Sequence, residues 1–92
     1  MKTDKKIIRL VAKVAAVPET VLDIQTDFIR LDAALKLAGI AQTGGHAKLL
    51  VQDGEILIDG EPCLQRGKKL RDGDAFRFEN RLYRIRAAGT ED

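Results

Sequence analysis

The sequence predicts an α+β domain in which two packed short helices lie against a small, mostly antiparallel sheet. Apolar residues follow helical spacing between Leu31 and Val51, and glycines mark the ends of both segments. From Glu55 onward apolar and polar residues alternate, and an Asp-Gly pair separates two of the runs. The 92 residues suffice for one such domain with a modest core.

The first 18 residues are predicted to be a basic extension of this domain. Their apolar positions follow helical spacing, and Pro18 would end such a helix because its ring disfavours helical geometry in the preceding residue. The Ile and Val content of the extension also allows a strand. The domain itself is expected over residues 19–87, and residues 88–92 are expected to be a frayed tail.

Two amphipathic helices are predicted next, after a short strand in "ETVLDIQTD". Gly39 is suited to the left-handed position that ends the first helix, and Thr43 is suited to the N-cap of the second, which Gly54 closes. The buried stripes are expected to be Leu31, Ala34, Leu35 and Ala38, then Ala47, Leu50 and Val51.

Two hairpins are predicted in the second half of the chain. "EILIDGEPCL" turns at Asp59-Gly60, a pair typical of a type I′ turn, and "AFRFENRLYRIR" turns near Asn80. The polar stretch between them, "QRGKKLRDGD", is expected to be mostly loop, with Leu70 as its anchor.

Positive charge is segregated along the chain, although the net charge is only +2. One basic cluster lies in the first thirteen residues. The other two are Arg66, Lys68, Lys69 and Arg71, and Arg77, Arg81, Arg84 and Arg86. Such segregation favours a polyanionic partner, while a solvated surface of mixed sign is the alternative.

Composition and motifs exclude several other function classes. The single cysteine, Cys63, cannot form an internal disulfide, which favours a cytoplasmic protein. No apolar run reaches the roughly 20 residues that cross a bilayer, so no membrane partner is expected. Catalytic motifs are absent, and one His with one Cys falls short of a zinc site. We therefore expect no enzyme activity, cofactor, metal or small-molecule substrate.

The motifs "RLDAALKLAG", "TGGHAKLLV", "GEILIDG" and "LRDGD" together resemble the S-four RNA-binding domain and its αL motif. The resemblance covers about residues 28–78 and is closest to the short stand-alone bacterial members. Gly44 departs from the pattern, because much of the family has arginine there. The resemblance implies a non-catalytic protein that binds structured RNA, such as ribosomal RNA or tRNA, and associates with a ribosomal particle. A protein-interaction adaptor on such a complex is the alternative.

The candidate RNA-binding site combines a helix start with a basic loop. Gly44 and Gly45 leave the first turn of the second helix bare, so that a phosphate can approach the unpaired N–H groups. The alternative is that they relieve a tight loop. The resemblance implies that the basic loop lies beside this helix start. The predicted RNA-binding residues are Arg30, Thr43, Gly44, Gly45, His46, Lys48, Arg66, Lys68, Lys69 and Arg71.

The scarcity of aromatic residues shapes the expected mode of recognition. Phe76, Phe78 and Tyr83 are expected in or near the core, where they cannot stack on bases. Phosphate contacts and shape are therefore expected to dominate, with weak sequence specificity.

Overall fold

The computed structural model describes residues 17–87, so the predictions for residues 1–16 and 88–92 lie outside it. Its elements are β1 (Glu19–Ile24), β2 (Phe28–Arg30), α1 (Leu31–Leu37), α2 (Gly44–Gln52), β3 (Ile56–Ile58), β4 (Glu61–Pro62), β5 (Lys69–Arg71), β6 (Ala75–Phe78) and β7 (Arg81–Ala87). The predicted α+β class, with two short helices and a small sheet, is confirmed.

The strands form a five-stranded sheet and a separate two-stranded ribbon. The sheet has the order β1-β7-β6-β3-β4, and the ribbon pairs β2 with β5. Only β1 and β7 run parallel within the described part of the chain, and the other pairs are antiparallel. The expectation of a mostly antiparallel sheet is therefore confirmed.

One core joins the helices to the sheet and to the ribbon. Both helices contribute fully buried side chains at the predicted stripe positions, while Ala38 and Leu50 are partly buried against them. Phe76 and Ile85 come from the sheet, and Leu70 comes from the ribbon. Because Leu70 belongs to the same core, the ribbon is fixed relative to the helices rather than free to move away from them.

The predicted turn chemistry is present at the helix and hairpin ends. Gly39, which follows α1, has φ +80°, the left-handed conformation that a helix C-terminus commonly requires. Asp59 and Gly60 have φ values of 56° and 84°, as a type I′ turn demands of both central residues. The hairpin register around β3 and β4 follows from this turn.

The stretch "QRGKKLRDGD" is mostly loop and Leu70 anchors it in the core, as predicted, but the stretch also contains a short strand that was not predicted. Lys69–Arg71 forms β5, which pairs antiparallel with β2 in the register Phe28 with Arg71 and Arg30 with Lys69. β2 itself lies just before α1, which begins at Leu31. Each strand has three residues, too few to show an alternation, and the partners lie far apart in sequence. No local signal therefore distinguishes them from loop.

The third basic cluster is largely engaged in holding β1 against β7. Arg84 Nε donates to Glu19 Oε2 at 2.6 Å, and Arg86 Nε donates to Asp23 Oδ1 at 2.6 Å. The hydrogen bond from Arg86 lowers the pKa of the Asp23 carboxyl below its ordinary value. These arginines support a parallel strand pair at the edge of the sheet, so their charge is matched locally.

Candidate nucleic-acid interface

The β2–β5 ribbon has an apolar face and a basic face. Leu70 is fully buried and its partner Ile29 packs against the core. Because side chains alternate along a strand, their neighbours point to the opposite side. We call this side the basic ribbon face; it consists of Phe28, Arg30, Lys69 and Arg71.

Two cations of the basic ribbon face lie over one aromatic ring. The Lys69 Nζ is 4.8 Å from the centroid of the Phe28 ring, and the Arg71 guanidinium carbon is 5.5 Å from it. Both distances fall within the range of cation–π attraction. The ring thus gathers two long, otherwise flexible side chains on one side of the ribbon.

The loop before β5 is anchored to the first turn of α1. The Leu31 N–H donates to the Lys68 carbonyl at 2.8 Å, and the Asp32 N–H donates to the Arg66 carbonyl at 2.9 Å. Two of the N–H groups that a helix start leaves unpaired are thereby satisfied by the loop backbone. The start of α1 therefore positions the loop, and the Arg66 and Lys68 side chains stay exposed.

Arg30 is fixed between an aspartate and the same loop. Its Nε and Nη2 donate to the two Asp32 carboxylate oxygens at 3.2 and 3.1 Å. A Cβ placed on Gly67 would lie 3.2 Å from Arg30 Nη2, so the glycine allows the guanidinium to approach the loop backbone closely. Arg30 is the member of the basic ribbon face whose charge is matched by a carboxylate.

The remaining cations of this region differ from those on β7 in their distance from carboxylates. Within residues 17–87, no carboxylate lies within ion-pair distance of Arg66, Lys68, Lys69 or Arg71, whereas Arg84 and Arg86 each have one. A group of unmatched, exposed cations concentrates positive potential at one place on the surface. This place is the basic ribbon face together with the loop before it.

The start of α2 is capped by its own side chains. Thr43 Oγ1 accepts from the His46 N–H at 3.1 Å, which confirms the predicted N-cap. His46 Nδ1 in turn accepts from the Gln42 N–H at 3.3 Å. The His46 ring therefore takes part in the turn that leads into α2, a local role that its sequence context did not indicate.

Gly44 and Gly45 are exposed, and no packing contact accounts for either of them. A Cβ on Gly44 would meet nothing within 4 Å, and one on Gly45 would meet only Thr43 Oγ1, at 3.9 Å. Neither glycine has a left-handed φ. The described structure therefore offers neither crowding nor backbone geometry as the reason for two glycines in a helix start.

All the predicted site residues are exposed, and they form two groups. The first surrounds the start of α1: Arg30, Arg66, Lys68, Lys69 and Arg71. The second opens α2: Thr43, Gly44, Gly45, His46 and Lys48. The two starts are separated in sequence by α1 itself and the connection over residues 38–43. The structure brings together the members within each group, and a single surface joining both groups stays a prediction.

Comparison with known sequences identifies the family of this domain. The sequence model of the S4 domain, the S-four domain named above, matches residues 22–86. The chain belongs to the S4 domain family. A relative in Bacillus subtilis (strain 168), described as a probable ribosome maturation protein RlbA, is 41% identical over 58 residues, which make up 63% of this chain and 82% of the relative.

In this S4 domain, the sequence did not indicate that Phe28 lies beside Lys69 and Arg71. Phe28 stands outside the alternating segments and the helices, so no pattern marked it, and its strand became visible only through its pairing with β5. Over residues 17–87, no group of three or more His, Cys, Asp or Glu side chains could hold a metal ion. In the same range no helix is long and apolar enough to span a bilayer.

Proposed function

We propose that this S4 domain protein is a non-catalytic RNA-binding protein that recognises structured RNA, such as ribosomal RNA or a tRNA-like fold, through phosphate and shape contacts. The observation that carries the proposal is a group of four exposed cations near the start of α1, Arg66, Lys68, Lys69 and Arg71, which have no carboxylate within ion-pair distance among residues 17–87. Family membership and the similarity to a probable ribosome maturation protein of Bacillus subtilis favour a role linked to ribosomes.

The basic ribbon face and the loop before it supply the phosphate contacts in this proposal. Arg66 and Arg71 present guanidinium groups suited to bidentate phosphate contacts, while Lys68 and Lys69 act as point charges. The loop carbonyls are hydrogen-bonded to α1 and Leu70 is buried, so the backbone that bears these cations is held in place. A fixed backbone lowers the ordering cost of binding.

The start of α2 supplies a second phosphate contact in the same proposal. Gly44 and Gly45 have N–H groups with no protein acceptor among residues 17–87, and both residues are exposed. These N–H groups carry the partial positive charge of the helix start, which attracts an anion. Thr43, His46 and Lys48 flank this position.

Replacing Gly45 by glutamate is expected to stabilise the protein and weaken RNA binding. A helix-forming residue with a negative charge in the first turn should raise the free energy of unfolding by about 1 kcal/mol. The same charge would repel a phosphate and lower RNA affinity about tenfold, a change of about 1.4 kcal/mol. Denaturant unfolding and fluorescence anisotropy with labelled RNA measure the two effects.

Gln52→Glu is the matched control, because it adds the same charge at the other end of α2. Gly45→Ala raises helix propensity without adding a charge. It therefore separates the effect of helix propensity from the effect of the negative charge. Equal RNA affinity for the Gly45→Glu and Gln52→Glu proteins would contradict a phosphate contact at the start of α2.

The salt dependence of binding tests the proposed function as a whole. If about four to six phosphates are neutralised, log affinity should fall with log salt concentration at a slope of roughly −3 to −5. A tRNA transcript and a ribosomal RNA fragment, titrated at several KCl concentrations, give this slope. A slope near zero would contradict RNA binding. If association with ribosomal particles also survived nuclease treatment, the protein-interaction adaptor would be the better account of the function.

A further inference from the structure

Phe28 is set apart from the other aromatic residues of the chain. Phe76 is fully buried and stacks on Tyr83, with 5.1 Å between ring centroids, and both Tyr83 and Phe78 pack against the core. Phe28 belongs neither to the core nor to the residues packed against it, and it is only half-buried. Its ring is therefore outside the core cluster and partly accessible on the basic ribbon face.

The surroundings of this ring are cationic rather than apolar. Lys69 and Arg71 lie over it, and Arg30 shares the same face of the ribbon. An aromatic ring among cations is the combination that binds unpaired nucleotides, because the ring stacks on a base while the cations contact the phosphates beside it. Cations alone would bind the backbone of a duplex equally well.

We propose that Phe28 stacks on an unpaired base, so that the RNA bound by the basic ribbon face carries an unpaired nucleotide in a bulge, a loop or a strand end. This inference rests on the proposed RNA-binding function and specifies which kind of RNA the protein binds. Lys69 and Arg71 would turn from the ring to phosphates, since charge-assisted hydrogen bonds are stronger than exposed cation–π contacts. The ring face released in this way is taken by the base.

Two RNAs and one substitution test the proposal. The RNAs are a blunt duplex and a duplex of equal phosphate number with unpaired nucleotides in one strand. Phe28→Leu keeps an apolar side chain but removes the aromatic face, and it should lower affinity for the bulged RNA roughly tenfold while leaving the duplex unchanged. An equal loss for both RNAs would show that the ring only orders its two cations, and no loss would show that it is uninvolved.

Fluorescence gives a second measurement, and its response to RNA would not depend on the kind of RNA if the ring had only a structural role. The chain has no tryptophan, so Phe28→Trp creates a single reporter that can still stack. Its emission should be quenched by the bulged RNA and not by the duplex. Val21→Trp, at an exposed position on β1, is the control and should respond to neither RNA. Quenching of the Phe28→Trp protein by both RNAs, or by neither, would overturn the stacking assignment.

Failure of the stacking proposal is distinguishable from failure of the function on which it rests. If the unsubstituted protein binds both RNAs equally with a steep salt dependence, RNA binding stands and base stacking is wrong. If it binds neither of these RNAs but binds the tRNA transcript or the ribosomal RNA fragment, only the stacking proposal is wrong; if it binds none of the four, both proposals are wrong.

Discussion

Neutralising three cations at the ribbon, by Lys68→Gln, Lys69→Gln and Arg71→Gln together, is expected to lower RNA affinity about 100-fold near physiological salt. Each lost phosphate contact should also make the slope of log affinity against log salt less steep, by about 2 in all. All three side chains are exposed, so the free energy of unfolding should change little. Fluorescence anisotropy over a series of KCl concentrations measures both quantities.

The β7 arginines provide a control with the same change in net charge. Arg81→Gln, Arg84→Gln and Arg86→Gln remove three positive charges that the structure uses in contacts with Thr20, Glu19 and Asp23. This variant should lose stability and keep a salt slope close to that of the unsubstituted protein. Equal losses of affinity in the two triple variants would mean that net charge alone, and not the ribbon, attracts the RNA.

The contrast between these clusters shows what charge patterning in a sequence can and cannot reveal. Charge patterning alone marks both as basic clusters, and only the resemblance to the S-four domain singles out Arg66, Lys68, Lys69 and Arg71 as a binding loop. Parallel pairing of β1 with β7 places acids beside one cluster, whereas the side chains of the other have no carboxylate within ion-pair distance among residues 17–87. Because the acids lie more than sixty residues away in sequence, only tertiary structure separates the two.

Elements with local signals were predictable, and those without were not. Thr43 and Gly39 mark helix ends through short-range chemistry, and the Asp59-Gly60 pair specifies its hairpin, so all three were correctly interpreted from sequence. β2 and β5 depend on each other across about forty residues, and neither is long enough to show a pattern. The position of Phe28 on the basic ribbon face could not be predicted for the same reason, because it is a property of that pairing.

Leu70→Ala is expected to be the most destabilising of the changes considered, because Leu70 is the fully buried residue through which β5 enters the core. Removing a buried leucine side chain should cost about 2–5 kcal/mol, including the cavity left behind. That is a large fraction of the roughly 5–15 kcal/mol that stabilises a small domain. Urea unfolding followed by circular dichroism measures the loss.

Leu64→Ala, six residues earlier, is the matched control for this change. Leu64 is 63% exposed, so the same truncation should alter the free energy of unfolding by no more than about 0.5 kcal/mol. Leu70 also sits between Lys69 and Arg71, so its loss should weaken RNA binding under conditions where the Leu70→Ala protein is still folded. If the two leucine variants were equally stable, the ribbon would not be held by the core, and the fixed spacing of its cations would have to come from the loop hydrogen bonds to α1 alone.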